Sequence, residues 1–288
     1  MIQINSDKDA MKHCIQWVIY FCLSLVILSL WGFYEAIRPF RIRSTLTPQT
    51  LQLNYENVTF RTSDNIMLSG WFIPSTNPRA KTIIILHGYP ADKGDVLPAM
   101  AFLHSSYNLL FFDFRYFGKS EGNFTTIGKR EVLDLLAAIQ FLHHKGIHEV
   151  GVWGFSMGGA VAIMTAPQAP EIKAIVAESS YANLDLMVEH YYRLPVVRYP
   201  LAWLTRLWAR IFLGYDLKII SPAKAAQQIH IPIMIIHSKQ DDIIPFEHAL
   251  LLQQALSKNT KAKFLFIDNA WHGQRRADFN PLISAFFK

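Results

Sequence analysis

The chain has 288 residues and a mass of 33.0 kDa, enough for one large α/β domain with a full core. Its net charge of +6 comes without a basic run of five or six residues and without a nucleic-acid module, so nucleic acid is excluded as the expected partner. Hydrophobic residues are 51% and mean hydropathy is +0.16, high for a wholly soluble protein.

The apolar excess has a location. Residues 14–34 carry no charge, and as a helix rising ~1.5 Å per residue they can cross a hydrocarbon core of ~30 Å. Trp17, Trp31 and Tyr34 lie near the two ends, where amphipathic rings favour the interface. The run is long for a signal peptide, no Ala-x-Ala-like site follows it, and it lacks the polar face of a buried amphipathic helix. The expected organisation is a tail (1–13), an uncleaved single-pass transmembrane anchor (14–34), a linker (35–54) broken by Pro39 and Pro48, and a globular domain (55–288). Lys8 and Lys12 precede the span; Arg38, Arg41 and Arg43 follow it. The excess after the span favours a cytoplasmic globular domain, whereas a short basic N-terminus held inside sends that domain out, so the membrane side stays open. Positive charge beside the anchor suits anionic head groups. Cys14 and Cys22 are the only cysteines, both in the anchor, ~12 Å apart along a helix and too far for a disulfide. The globular part therefore has no disulfide or thiolate zinc site, and cysteine usage does not report its compartment.

Strand-like segments follow in order. Residues 55–62 and 66–73 flank Ser63-Asp64-Asn65, a hairpin turn. Residues 81–87 end in His87-Gly88-Tyr89, and 107–113 form a continuous apolar strand. Residues 127–145 place Val132, Leu135, Leu136, Ile139 and Leu142 at helical spacing. Further strands are expected at the start of 150–166 and at 173–178, 231–237 and 262–268, with helical stretches between. Strands buried on both faces and alternating with helices after a hairpin predict a mostly parallel eight-stranded sheet with one antiparallel strand near its start.

The stretch 150–166 organises the rest. A short apolar run turns through Gly154-Phe155-Ser156-Met157-Gly158 and continues as a small-residue helix. The turn matches Gly-x-Ser-x-Gly, a nucleophile elbow in which glycines remove colliding Cβ atoms and a helix N-terminus faces the reacting centre. The bland alternative is a tight turn with an idle serine. Gly151 and Gly154 also suggest a dinucleotide loop, but the elbow accounts for Gly154.

With His87-Gly88-Tyr89, the run 113–120 (Asp-Phe-Arg-Tyr-Phe-Gly-Lys-Ser), the segment Asp241 to Pro245 and His272-Gly273, residues 55–288 resemble an α/β-hydrolase of the serine-aminopeptidase-like or membrane-anchored serine hydrolase kind. The resemblance implies an α/β-hydrolase fold with a helical cap insertion, and a triad in the order Ser, acid, His. Ser156 needs a base. His272 follows the last predicted strand; its rival His248 falls in a predicted helix, 246–256. His87 reads as structural, and His143, His144 and His148 as solvated. Asp241, Asp242 and Asp268 are candidate acids, and the family pattern Asp-x-x-Ile/Val-Pro selects Asp241. Asp242 then reads as a turn or helix-start residue and Asp268 as a turn residue. The backbone N–H of Met157 supplies one oxyanion donor, and the resemblance implies Tyr89 for the second. Asp113 and Arg115 read as an ion-pair and turn framework, and Glu178 as a pocket residue. No metal cluster or phosphate loop appears in the sequence, so neither a metal nor another cofactor is expected.

Residues 182–228 occupy the place of the cap. Their aromatics (Tyr191, Tyr192, Tyr199, Trp203, Trp208, Phe212, Tyr215) are interspersed with Arg193, Arg198, Arg206 and Arg210. Two readings stand: helices packed on the core, or a lid presenting apolar surface to an acyl chain or a bilayer. The expected function is a membrane-anchored serine hydrolase cleaving an acyl ester or thioester of a small or lipid-like substrate through an acyl-enzyme. A peptidase or amidase of the same fold is the alternative, and a non-catalytic binding module the second class.

Overall fold

A computed structural model describes residues 2–192, 195–274 and 279–288, with side chains from residue 11 onward. Eight strands form one sheet: β1 (Glu56–Arg61), β2 (Met67–Ile73), β3 (Thr82–Leu86), β4 (Asn108–Phe112), β5 (Val150–Phe155), β6 (Ile172–Glu178), β7 (Ile233–Ser238) and β8 (Ala262–Ile267). Their spatial order is β1-β2-β4-β3-β5-β6-β7-β8. β2 is antiparallel to β1 and β4, and all pairings from β4 through β8 are parallel, so one strand runs against the others, as the sequence predicts. Parallel strands need cover on both faces. Alternate residues point to opposite faces. On one face Ile83, Ile85, Phe111, Trp153, Val176 and Ile236 pack with Val96, Leu97 and Met100 of α2 (Lys93–Met100) and Ile283 of α9 (Asn280–Phe286). On the other, Ile84, Leu86, Leu110, Phe112, Val152, Ile175 and Ile235 are also buried. Each such side chain contributes ~1.5–3 kcal/mol by leaving water.

The helix after β4, α3 (Glu131–His144), starts later than the expected 127. The Glu131 carboxylate accepts bonds from the hydroxyls of Thr125 and Thr126 and the amides of Thr126 and Gly128. That satisfaction holds the preceding residues as a turn, with Ile127 at φ 50°. The remaining helices of the sheet unit are α4 (Met157–Thr165), α7 (Pro222–Ala226) and α8 (Glu247–Ala255).

The chain divides into two compact units. One is Ile37–Leu184 with Ile220–Lys288, which holds the sheet. The other is Met1–Ala36 with Asp185–Ile219: α1 (Ile2–Ile37), α5 (Leu184–Tyr191), α6 (Arg198–Trp208) and a π-helical turn, Ala209–Leu213. α1 extends beyond 14–34 on both sides, and its part Met11–Ile37 is long and apolar enough to cross a membrane. Of the residues expected as the cap, 182–228, those from Asp185 to Ile219 group with α1, whereas α7 packs on α4 in the sheet unit. Arg193 of the expected cap lies outside the described residues.

Residues 38–54, expected as a linker, are fastened to the sheet unit. Arg41 donates to the carbonyls of Ser120 and Gly122, the Ser44 amide donates to Asp92, and the Tyr116 hydroxyl donates to the carbonyl of Pro39. The loop after β4 is held from within by Arg115, which donates to Asp134 at 2.7 and 2.9 Å and to Asp64 at 2.6 and 2.9 Å. Arg115 holds Asp64 down at about 2. Burial pushes Asp134 up to about 7 although Arg115 works against it. Arg115→Met leaves a buried carboxyl without its cation. The expected loss is ~3–5 kcal/mol of stability, read by denaturant unfolding, and a change below 1 kcal/mol would contradict this account.

Candidate active site

β5 ends at Phe155 and α4 begins at Met157, so the chain reverses direction in one residue. Ser156 carries that reversal at φ 53°, ψ −116°. A side-chain-bearing residue there stores ~1–3 kcal/mol of strain. The reversal needs bare backbone around it. A Cβ on Gly154 would lie 2.4 Å from the Gly158 carbonyl, and one on Gly158 would lie 2.7 Å from the carbonyl oxygens of Leu86 and His87. The Ser156 amide donates to the Glu178 carbonyl at 2.8 Å, tying the turn to the end of β6. The Met157 amide belongs to the first turn of α4, where no carbonyl stands one turn earlier to receive it.

His272, in the loop after β8, places Nε2 3.2 Å from Ser156 Oγ. Its Nδ1 lies 2.8 and 3.0 Å from the two oxygens of Asp241, in the loop after β7. The arrangement fits Nδ1–H donating to Asp241 and Nε2 accepting from the serine hydroxyl. The His272 amide donates to Asp242 Oδ1 at 3.0 Å, and the Phe155 ring lies 4.9 Å from the imidazole. Asp242 therefore anchors the histidine loop by its backbone, while Asp241 holds the ring. The amides of Ile243 and Ile244 donate to Asp241 Oδ1 at 3.0 and 2.8 Å. Burial works to raise Asp241, but His272 and these amides outweigh it and hold the carboxyl below its ordinary range.

His87 is buried at the end of β3. Its Nε2 accepts from the Phe114 amide at 3.0 Å, so Nδ1–H donates to the Gly88 carbonyl at 2.7 Å. It supports the loop that carries Tyr89. That loop runs beside the nucleophile: a Cβ on Gly88 would lie 3.1 Å from Ser156 Cβ. Asp113 accepts from the Lys93 amide and ammonium and from the Lys119 amide; Arg115 serves Asp64 and Asp134 instead. Glu178 is buried, and its carbonyl receives the Ser156 amide. His248 is buried on α8 and accepts from the Ala182 amide, Asp268 is exposed and paired with Lys239, and His143, His144 and His148 are exposed. Among the described residues, no three His, Cys, Asp or Glu side chains gather as metal ligands would.

Sequence reasoning missed His237. It sits buried on β7, and its Nε2–H donates to the Ile244 carbonyl at 2.9 Å, closing the loop that presents Asp241. Burial lowers its proton affinity despite the Ile244 bond and the nearby Asp241. The only available signal was a polar residue near the end of an otherwise apolar strand.

A family model described as the alpha/beta hydrolase fold matches residues 81–210. The esterase Pf2001 of Pyrococcus furiosus is 30% identical, with a TM-score of 0.71 over 86% of this chain and 97% of that one. The chain belongs to the α/β-hydrolase superfamily. This α/β-hydrolase is also similar to the uncharacterized protein YqkD of Bacillus subtilis, 31% identical over 66% of this chain and 64% of that protein. Protein bem46 of Schizosaccharomyces pombe is 26% identical, over 76% of this chain and 71% of its own length.

His87 and His237 have a consequence for this hydrolase in acid. Burial lowers both, so the native state keeps them neutral where the unfolded chain, near 6.5, takes up protons. At these two histidines the unfolded state then binds more protons and takes stability away as pH drops below about 6.5, while Asp134, raised to about 7, returns part of it. A protonated His87 would also turn Nε2–H against the Phe114 N–H. The unfolding midpoint should decline from neutral pH through the histidine range, and His87→Asn should flatten that decline. An unchanged slope in the variant would contradict the assignment.

Proposed function

We propose that this α/β-hydrolase is a membrane-anchored serine hydrolase that cleaves an acyl ester or thioester through an acyl-enzyme. The observation that carries the reading is the relay of two hydrogen bonds, Ser156 Oγ to His272 Nε2 at 3.2 Å and His272 Nδ1 to Asp241 at 2.8 Å. Ser156 Oγ attacks the acyl carbon as its proton passes to Nε2. Asp241 keeps Nδ1–H pointed away from the serine and stabilises the imidazolium. The oxyanion forms against the amides of Met157 and Tyr89, each worth ~3 kcal/mol when judged by removal. His272 then gives its proton to the departing alcohol or thiol. Water enters and repeats the sequence in reverse roles, freeing the acid and restoring Ser156. The likeness to a solved esterase at 30% identity favours ester over amide substrates. The apolar helix α1, whose side chains from Met11 to Ser24 are all exposed, favours the anchor over a core helix.

Fluorophosphonate should label the wild-type protein and not Ser156→Ala. His272→Ala should lower kcat/KM by about 10³-fold or more, because serine and histidine act as one unit. Asp241→Asn should cost far more than Asp242→Asn, since only Asp241 touches the ring; the reverse order would reassign the acid. In a panel matched for acyl chain, esters and thioesters should turn over faster than amides, and a preference for the amide would establish the peptidase or amidase reading instead. Absence of labelling in folded wild-type protein would leave a binding module. Sodium carbonate should fail to extract the full chain from membranes.

A further inference from the structure

The helix read as the membrane anchor is not a bare tether. Up to Ser24 every described side chain of α1 is exposed; from Leu25 onward the pattern changes. Leu25, Ser29, Gly32, Phe33 and Ala36 recur at helical spacing on one side and are buried or half-buried. Ser29, Gly32 and Phe33 are covered by the helices inserted after β6. The Trp208 indole donates to Ser29 Oγ at 3.0 Å, and Phe33 stacks on Phe212 with ring centres 5.9 Å apart. Gly32 lies against Tyr192, whose hydroxyl would be 2.9 Å from any Cβ placed there. Small residues at such a contact are what close helix packing in lipid requires.

Length then decides depth. The uncharged run 14–34 is ~31 Å long as a helix, against ~30 Å of hydrocarbon, so it has almost no residues to spare. Sliding the span toward the N-terminus to clear the docked segment would draw Asp7, Lys8, Asp9 and Lys12 into the hydrocarbon. With the span where its composition puts it, Ser29 lies ~8 Å inside the Tyr34 end. Whatever covers Ser29 must lie at that depth too. We infer that the inserted helices, residues 185–219, are seated in the lipid leaflet around the end of α1, with Trp203, Ile211 and Phe212 facing acyl chains. The inference rests on α1 crossing the membrane.

The surface suits that place. Trp203, Ile211 and Phe212 are 61, 58 and 59% exposed, a cost in water that lipid removes. Phe212 stacks on Phe33 of α1, so the exposed apolar side chains of the inserted helices adjoin the span. Polar groups in the unit pair with one another: Ser29 with Trp208, Tyr192 with Thr205, and Arg206 with Asp185 and Glu189. Arg210, ion-paired with Asp216, has a stem long enough to carry its charge to the head groups.

The test uses the full chain with Cys14→Ser and Cys22→Ser, reconstituted in vesicles of phosphatidylcholine and phosphatidylglycerol. A nitroxide is attached to one new cysteine at a time: Trp203→Cys, Ile211→Cys, Ile27→Cys in the span, and Lys173→Cys on the sheet unit. Relaxation by oxygen, which dissolves in lipid, is compared with relaxation by a nickel chelate, which stays in water. Ile27 should report lipid and Lys173 water. The oxygen-to-nickel ratio at Trp203 and Ile211 should exceed that at Lys173 by about threefold or more, as for sites ~5–10 Å below the head groups. If Ile27 reports lipid while Trp203 and Ile211 match Lys173, the anchor stands and the embedding is refuted. If Ile27 itself reports water, the anchor is refuted and the embedding with it. Both tested side chains are exposed, so neither variant removes core packing, and the two sites check each other.

Discussion

The gap between Gly154 and Gly158 is the constraint on which the Ser156 end of the sheet depends. The chain must leave β5, place one residue with a side chain at positive φ, and enter α4 without a single intervening residue. Only bare backbone on both sides of Ser156 leaves room, because the neighbouring atoms are carbonyls of Gly158, Leu86 and His87 and cannot step aside. The strain is sustained by the sheet. Four buried parallel strands flank the turn as β4, β3, β6 and β7, and the Glu178 carbonyl receives its amide. A hydroxyl held this way has little freedom, and its partners have to come to it.

They come on two loops from neighbouring strands. β7 delivers Asp241 and β8 delivers His272, and the loops are fastened to each other as well as to the sheet. Ser238 donates to the Ala270 carbonyl, and Asp242 receives the His272 amide. His237 closes the Asp241 loop from beneath while neutral. Two histidines with opposite duties thus stand near one carboxylate. One is buried and discouraged from charging; the other has its ring bonded between serine and aspartate. Burial is what discourages charge on His237, despite Asp241 nearby.

The parts written in short-range patterns were legible in the sequence. Gly-x-Ser-x-Gly between a strand and a helix, the Asp241 register before Pro245, and a histidine after the last strand each depend on residues adjacent in the chain. Apolar runs separated by helical stretches, after an initial hairpin turn, showed the eight strands and the single reversed one for the same reason. What escaped depends on residues far apart. Nothing near Arg41 indicates that it binds the carbonyls of Ser120 and Gly122, so 38–54 read as a linker. The late start of α3 comes from a glutamate bonding backward to its own turn, which helical periodicity does not register. His237 looks like any residue at a strand end until the Ile244 carbonyl is seen against it. The partnership of α1 with residues 185–219 has no local mark at all, only a glycine and a serine in an apolar helix.

That partnership has a history during synthesis. Ser29 is made 179 residues before Trp208. At ~5–20 residues per second, α1 waits roughly 10–35 s before its partner leaves the ribosome. Under the membrane anchoring proposed above, α1 spends that interval with its docking stripe open to lipid. Ser29 tolerates the wait because its hydroxyl bonds back to the Val26 carbonyl at 2.9 Å, and Gly32 exposes no side chain to satisfy. The residues that later admit Trp208 and Tyr192 are therefore also ones that, on the proposed anchoring, a lone helix can carry into the bilayer unaided.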